Sequence, residues 1–304
     1  MRALFGIVVA ASLLATSTQI ACASEAVVVG QQHRGVTIHD LPRELEFAGE
    51  KVPLEWGYVR EAIEREVLTT SCMHTSTTLA LRRASRYFPV IEPILAEYGI
   101  PDDFKYLCVA ESGLNENAVS PAKASGLWQF LSSTAKEYGM EVSGTVDERY
   151  NIEKATHAAC KYIKSAYELY GSWSLAAASY NAGRAGVTRR MGIQDVKDYW
   201  DLFLPEETMR YVPRILSFKI LMADPVKYGF DLGEEDNLLP FENYKVVSVD
   251  DAVIEWSKFA AQHGSTYRQL RILNPWIREY DHKNPSRKSY QVKVPTSEFM
   301  GQGR

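Results

Sequence analysis

Residues 101–131 read Pro-Asp-Asp-Phe-Lys-Tyr-Leu-Cys-Val-Ala-Glu-Ser-Gly-Leu-Asn-Glu-Asn-Ala-Val-Ser-Pro-Ala-Lys-Ala-Ser-Gly-Leu-Trp-Gln-Phe-Leu. Pro101 followed by Asp102 and Asp103 reads as a helix start, because proline suits the first helical position and acids favour the positive end. Phe104, Leu107, Cys108 and Glu111 then fall at i, i+3, i+4 and i+7, which sets a carboxylate into the apolar stripe that faces the core. Gly113 reads as the helix stop, so Glu111 lies in the last turn. There both the helix dipole and burial disfavour a negative charge and raise the carboxyl pKa. A carboxylic acid held protonated near neutral pH is what a general acid needs. A core glutamate paired with a buried arginine fits the same position, and this stretch alone leaves the two readings open.

The 304 residues, 46% hydrophobic and 24% charged, have the composition of a globular chain long enough for more than one domain. The formal charge of −4 and the lack of a long basic run exclude nucleic acid as the expected partner. Residues 1–23 carry Arg2, an apolar run from Ala3 to about Ala15 and the small-residue end Ala21-Cys22-Ala23, the pattern of a signal peptide cleaved before Ser24. Export to the periplasm or cell envelope is the expectation. Cys22 leaves a second reading, a lipid-modified N-terminus that would add membrane association. Cys72, Cys108 and Cys160 are widely spaced, with no Cys-x-x-Cys or paired-His pattern, so neither zinc nor a disulfide is expected, and no metal or organic cofactor is implied.

Outward from Glu111, residues 24–53 show no period and read as an irregular lead-in. Val59, Ile63 and Val67 repeat at helical spacing, and a second helical stretch spans residues 77–98, with Pro89 and Pro93 expected to bend or restart it. Leu127 to Tyr138 returns to helical spacing, and Asp147 to Asn151 offers caps for a long helix from Ile152 to Tyr170. Ser172 to Gly183 reads as an Ala-rich helix suited to close packing, and residues 184–204 as a looser connection. Pro205-Glu206-Glu207 opens a helix apolar nearly all round, expected to be central and kinked at Pro213 with Tyr211 pointing inward. The fold class is thus mainly α, with one all-α domain over 54–230. Residues 231–240 read as an acidic linker, 241–296 as a small α+β module of βααβ order, and 297–304 as a tail.

Four motifs stand in order: Glu111-Ser112-Gly113, Gly126-Leu127-Trp128-Gln129, Tyr180-Asn181-Ala182-Gly183 and Tyr211-Val212-Pro213. With Ser85-Arg86-Tyr87-Phe88-Pro89 ahead of them, this constellation resembles the soluble-lytic-transglycosylase catalytic domain, related to goose-type lysozyme, and in particular its membrane-bound type D members. The resemblance covers residues 52–225, and the C-terminal module resembles a degenerate LysM repeat, with Leu273-Asn274-Pro275-Trp276 ending its second helix. It implies a goose-lysozyme-like fold and cleavage of the β-1,4 bond between N-acetylmuramic acid and N-acetylglucosamine in peptidoglycan glycan strands, leaving 1,6-anhydro ends. Glu111 would be the sole acid and base, since the sequence offers no acidic partner at the motif positions. By the same resemblance Ser112, Ser120, Gln129, Tyr180, Asn181 and Tyr211 would bind substrate or line the cleft. A lysozyme-type muramidase and a non-catalytic peptidoglycan-binding protein are the alternatives. Lys123 in place of a usual glycine, Leu131-Ser132 in place of Met-Pro, and Arg184-Ala185-Gly186 in place of Pro-Gly-Arg depart from the pattern and bear on subsite geometry.

Overall fold

The computed structural model describes residues 41–296 and Phe299; the expected signal peptide, the Cys22 lipidation site and most of the tail lie outside the described residues. The chain order is β1 (Glu46–Phe47), β2 (Glu50–Lys51), α1 (Gly57–Cys72), α2 (His74–Glu97), α3 (Phe104–Ser112), α4 (Ser132–Glu137), α5 (Ile152–Tyr170), α6 (Trp173–Ala182), α7 (Arg184–Gln194), α8 (Glu206–Met209) and α9 (Tyr211–Ala223). The C-terminal module follows as β3 (Tyr244–Val249), β4 (Val253–Glu255), α10 (Trp256–Gln262), α11 (Tyr267–Leu273), β5 (Asp281–Lys283) and β6 (Tyr290–Pro295). The protein is mostly helical with a small strand-containing module at its C-terminal end, the fold class expected.

The helical part is held by two packed groups: α9 lies on α1 and α3, and α5 lies on α2 and α6. Small residues are buried on both α5 and α6, Ala155, Ala158 and Ala159 on the first and Ala177 and Ala178 on the second, and Ala166 of α5 clusters with Ala176 of α6 beside Tyr162. Alanines let the two backbones approach, and the Tyr162 hydroxyl donates across the gap to the Ser179 carbonyl at 2.7 Å. Helix α5 has the expected bounds: Asn151 caps it by accepting from Lys154 N at 3.0 Å, and Gly171 ends it at φ 65°.

Several local expectations needed correction. Helix α3 starts at Phe104 rather than Pro101, because Pro101, Asp102 and Asp103 form tight i+3 turns, their carbonyls accepting from Phe104, Lys105 and Tyr106 N–H. The Asp103 carboxylate accepts instead from Ala48 N and Lys219 Nζ, both at 2.7 Å, and so anchors the β1–β2 turn. Within the lead-in, β1 pairs antiparallel with β2, and Phe47 is buried against the Phe104 ring at 5.3 Å. Helix α2 runs through Pro89 and Pro93 without restarting. Residues 184–194, read as a loose connection, form α7; only Val187 of its residues is buried, so it presents no apolar stripe for a periodicity argument to detect.

The helix expected to kink at Pro213 is instead interrupted three residues earlier, at Arg210: α8 ends at Met209 and α9, which contains Pro213, begins at Tyr211. Proline supplies no N–H for the Met209 carbonyl, and the Tyr199 hydroxyl stands in, 2.9 Å from that oxygen and 3.0 Å from Thr208 O. In the module, β3 pairs antiparallel with β6, as expected for the outer strands. A second short ladder, β4 with β5, was not anticipated; residues 253–255 pair with 281–283 and the first module helix starts only at Trp256. Residues 231–240 run along α2, where Leu238 N donates to Arg82 O and the Ser85 and Arg86 side chains donate to Leu238 O and Leu239 O.

Candidate active site

Glu111 sits in the last turn of α3, one residue before Ser112 and two before Gly113, which is left-handed at φ 58°. The stripe predicted for this helix is the observed one: Phe104, Leu107 and Cys108 are fully buried. Glu111, at the rim of that stripe, is half-buried. The Tyr211 hydroxyl, projecting from the first turn of α9, donates to Glu111 Oε1. Among the described residues the carboxyl has no ion pair. Burial pushes its pKa up to about 7; the Tyr211 hydrogen bond and the Arg214 charge pull it down by less, and the Glu207 charge adds to the rise.

The buried glutamate paired with arginine, the competing reading of this stretch, does occur in the protein, at Glu66 on α1. Glu66 is 1% exposed and is met by Arg210 Nε at 2.7 Å and Arg214 Nε at 3.4 Å. Arg214 is also committed to Glu207 at 2.9 Å, which keeps it from closing on Glu111. The arginines that could have neutralised the Glu111 carboxyl are therefore spent on other acids. Sequence reasoning missed this Glu66–Arg210–Arg214 group; its signal was two arginines flanking Tyr211 at i−1 and i+3 in an otherwise apolar helix.

The other expected site residues fall into two groups. Tyr180 on α6 is packed between Tyr162 and Phe130, with ring centroids at 5.2 and 6.0 Å, and its hydroxyl donates to Trp128 O at 2.8 Å. Its pKa is raised by burial first and the neighbouring Glu111 charge next, as is that of Tyr211. Asn181 presents its side-chain oxygen to the Thr208 hydroxyl at 2.8 Å, tying α6 to α8. Ser112 donates back to Cys108 O at 3.2 Å and lines a cavity of about 570 Å³ together with Asn115, Glu66, Arg210 and Arg214.

Ser120 and Gln129 belong to the loop 118–130. Ser120 Oγ accepts from Ala124 N at 3.1 Å, and Gln129 Nε2 donates to Gly126 O at 2.8 Å and Ala118 O at 3.2 Å. Leu127 to Phe130 is a turn rather than the start of a helix, which is confined to α4; Gln129 lies at φ 48°, a left-handed conformation that no helix continues. Trp128, fully buried, donates from Nε1 to Thr156 Oγ1 at 2.9 Å and pins the turn to α5. Asp147 and Glu148, two acids near the motif stretch, are occupied away from Glu111: Asp147 pairs with Arg149 at 2.7 Å, and Glu148 accepts from Glu141 N at 2.8 Å and pairs with Lys288 at 3.1 Å.

Residues 90–203 match the transglycosylase SLT domain, and residues 245–298 match the soluble lytic transglycosylase C-terminal LysM-like domain. The two matches follow one another in that order, and the resemblance expected from the motifs holds. The chain is homologous to the membrane-bound lytic murein transglycosylase D of Escherichia coli K12, 26% identical over 240 residues that make up 76% of this chain and 51% of that protein. The chain thus spans about half the length of this relative. The crystal structure of the 70 kDa soluble lytic transglycosylase of Escherichia coli aligns over 56% of this chain and 29% of its own, with 20% identity and a TM-score of 0.42.

Proposed function

We propose that this protein is a peptidoglycan lytic transglycosylase in which Glu111 alone serves as acid and then as base. The supporting observation is a half-buried carboxyl that has no ion pair among the described residues, is protonated up to about pH 7 and is oriented by the Tyr211 hydroxyl. In the first step the protonated Glu111 gives its proton to the glycosidic oxygen between N-acetylmuramic acid and N-acetylglucosamine as the bond to C1 breaks. In the second, the muramic C6 hydroxyl attacks C1 and its proton returns to the Glu111 carboxylate, so a 1,6-anhydro ring forms and no water is consumed. Most glycosidases need a second carboxylate as nucleophile or water-activating base; a substrate N-acetyl group can replace it, in keeping with the occupied states of Asp147 and Glu148. Ser112, Ser120, Gln129, Tyr180 and Asn181 line the glycan path, and the enzyme acts in the cell envelope after export.

Product analysis tests the reading. Sacculi incubated with the protein should release muropeptides ending in 1,6-anhydro-muramic acid, detected by mass spectrometry as ends lighter by one water than reducing ends. Reducing ends would make the protein a muramidase, and binding without release would make it a wall-binding protein.

The pH profile carries a second expectation. Only protonated Glu111 can start the reaction, so kcat/KM should be level below about pH 7 and fall tenfold per pH unit above it. A bell-shaped profile with an acid-side limb from a second carboxylate would refute the single-acid scheme.

Tyr211→Phe tests the orienting contact. The tyrosine stabilises the carboxylate, so its removal should move the alkaline limb to higher pH while slowing turnover by about tenfold, the worth of one hydrogen bond. A limb that moves the other way, or does not move, removes Tyr211 from the site.

A further inference from the structure

The C-terminal module is joined to the helical domain by more than a linker. Val146 forms an antiparallel bridge with Ile277, Asp147 N donates to Trp276 O at 2.9 Å, and Arg278 N donates to Thr145 O at 2.9 Å. Residues 145–147 thereby extend the module's backbone pairing. The module's apolar core includes Val146 and Tyr150 from the helical domain, buried with Val249, Trp256, Leu270 and Trp276. Around this seam Lys288 reaches Glu141 at 2.7 Å, Tyr290 Oη donates to Glu141 at 2.9 Å, and Arg278 lies 4.0 Å from the Tyr150 ring centroid. A small module of this size gains stability by sharing its core with a neighbour.

The same segment holds the loop that carries Ser120 and Gln129. Arg149, buried to 9% exposure, is fixed by Asp147 through Nε at 2.9 Å and Nη2 at 2.7 Å, a two-pronged pair. Its remaining arm, Nη1, donates to Lys123 O at 2.9 Å and Phe130 O at 3.1 Å, at either end of the loop's second half. Lys123 and Gln129 sit at φ 62° and 48°, conformations a non-glycine residue keeps only when its surroundings hold it there. Contacts therefore run from Trp276 through Asp147 and Arg149 to Lys123, and from Lys123 N–H to the Ser120 carbonyl at 2.8 Å.

We propose that the C-terminal module is a fixed brace for the 118–130 loop, with Arg149 as the positioning residue that transmits the module's hold to Ser120 and Gln129. On this account the module acts on substrate binding from a distance, whatever affinity for glycan it has of its own. The loop's conformation is set by contacts the reacting acid does not share, so loosening it weakens substrate capture and leaves proton transfer in place.

The test uses the full chain and two variants. Trp276→Ala removes the rings stacked on Tyr290 at 5.6 Å and against Trp256 at 5.9 Å, and it touches nothing in the loop. Hydrogen exchange of the Lys123, Ser125, Gly126 and Gln129 amides, each bonded within the loop, should quicken by about tenfold, while α5 amides keep their rates. Loop amides at wild-type rates beside fast-exchanging module amides would overturn the proposal. Arg149→Lys keeps a charge beside Asp147 but loses the fork that spans two carbonyls. It should give the same loop exchange and, resting on the enzymatic reading, raise KM by about tenfold with kcat and the alkaline pH limb unchanged. Equal loss in kcat, or a moved limb, would assign Arg149 to the chemistry or to stability alone. The exchange result needs no activity, so failure of the brace and failure of the enzymatic assignment are read separately.

Discussion

Glu111→Gln is expected to lower turnover on peptidoglycan by about 10³-fold, within the range a positioned general acid contributes, while leaving the protein as stable or more so. The amide has the shape of the acid and still accepts from Tyr211 Oη, so the helix end and the aromatic surroundings are kept. What is lost is the transferable proton. The stability half follows from linkage. Folding raises the Glu111 pKa from 4.5 to about 7, so the native state holds the proton more tightly than the unfolded chain. Stability contributed by this group therefore falls as pH rises from about 4.5 to 7 and stays reduced above that window. After allowance for partial solvation, the variant should gain about 1–2 kcal/mol over the wild type at pH 8 and little at pH 4, as measured by urea unfolding. A dead and destabilised variant would mark Glu111 as structural, and one retaining more than a tenth of the wild-type rate would end the single-acid scheme.

What could be read in advance divides by the kind of signal. Helix α5 announced itself through its caps, Asn151 and Gly171, and the partial burial of Glu111 followed from its place in the Phe104, Leu107, Cys108 stripe. These are local rules, satisfied within one turn of chain. Asp103 was misread as a helix-starting acid because its partners, Ala48 N and Lys219 Nζ, lie 55 and 116 residues away. Arg149 carried no sequence signal at all: its three roles depend on Lys123, Phe130 and Asp147 meeting at one point. The same holds for Glu66, whose neutralisation by Arg210 and Arg214 crosses the α1–α9 contact and leaves Glu111 without an ion pair among the described residues. Local pattern could place the acid; only tertiary contacts could say which acid was neutralised.

Gly126→Ala should be the most damaging single-methyl change in the catalytic domain, lowering stability by about 3–5 kcal/mol and the melting temperature by about 10 °C. Two costs combine. Gly126 has φ +79°, where an L side chain adds about 1–2 kcal/mol of strain. A Cβ there would also lie 2.1 Å from the Arg149 carbonyl oxygen and 2.9 Å from its carbon, backbone atoms that no rotamer change can move aside. Nor can that backbone retreat. Arg149 N donates to Asp147 Oδ1 at 3.2 Å, Glu148 N to Glu141 O at 2.8 Å, and the Tyr150 ring is seated in the module's core. The loop could move instead, but only by giving up the Arg149 bonds to Lys123 O and Phe130 O. Gly139→Ala separates the two costs: at φ +82° it bears the same strain, with nothing within 4 Å of the added carbon, and should lose only about 1–2 kcal/mol. Equal losses in the two variants would show that the close approach at Arg149 contributes nothing, and with it would go the reason for a glycine ahead of Leu127-Trp128-Gln129.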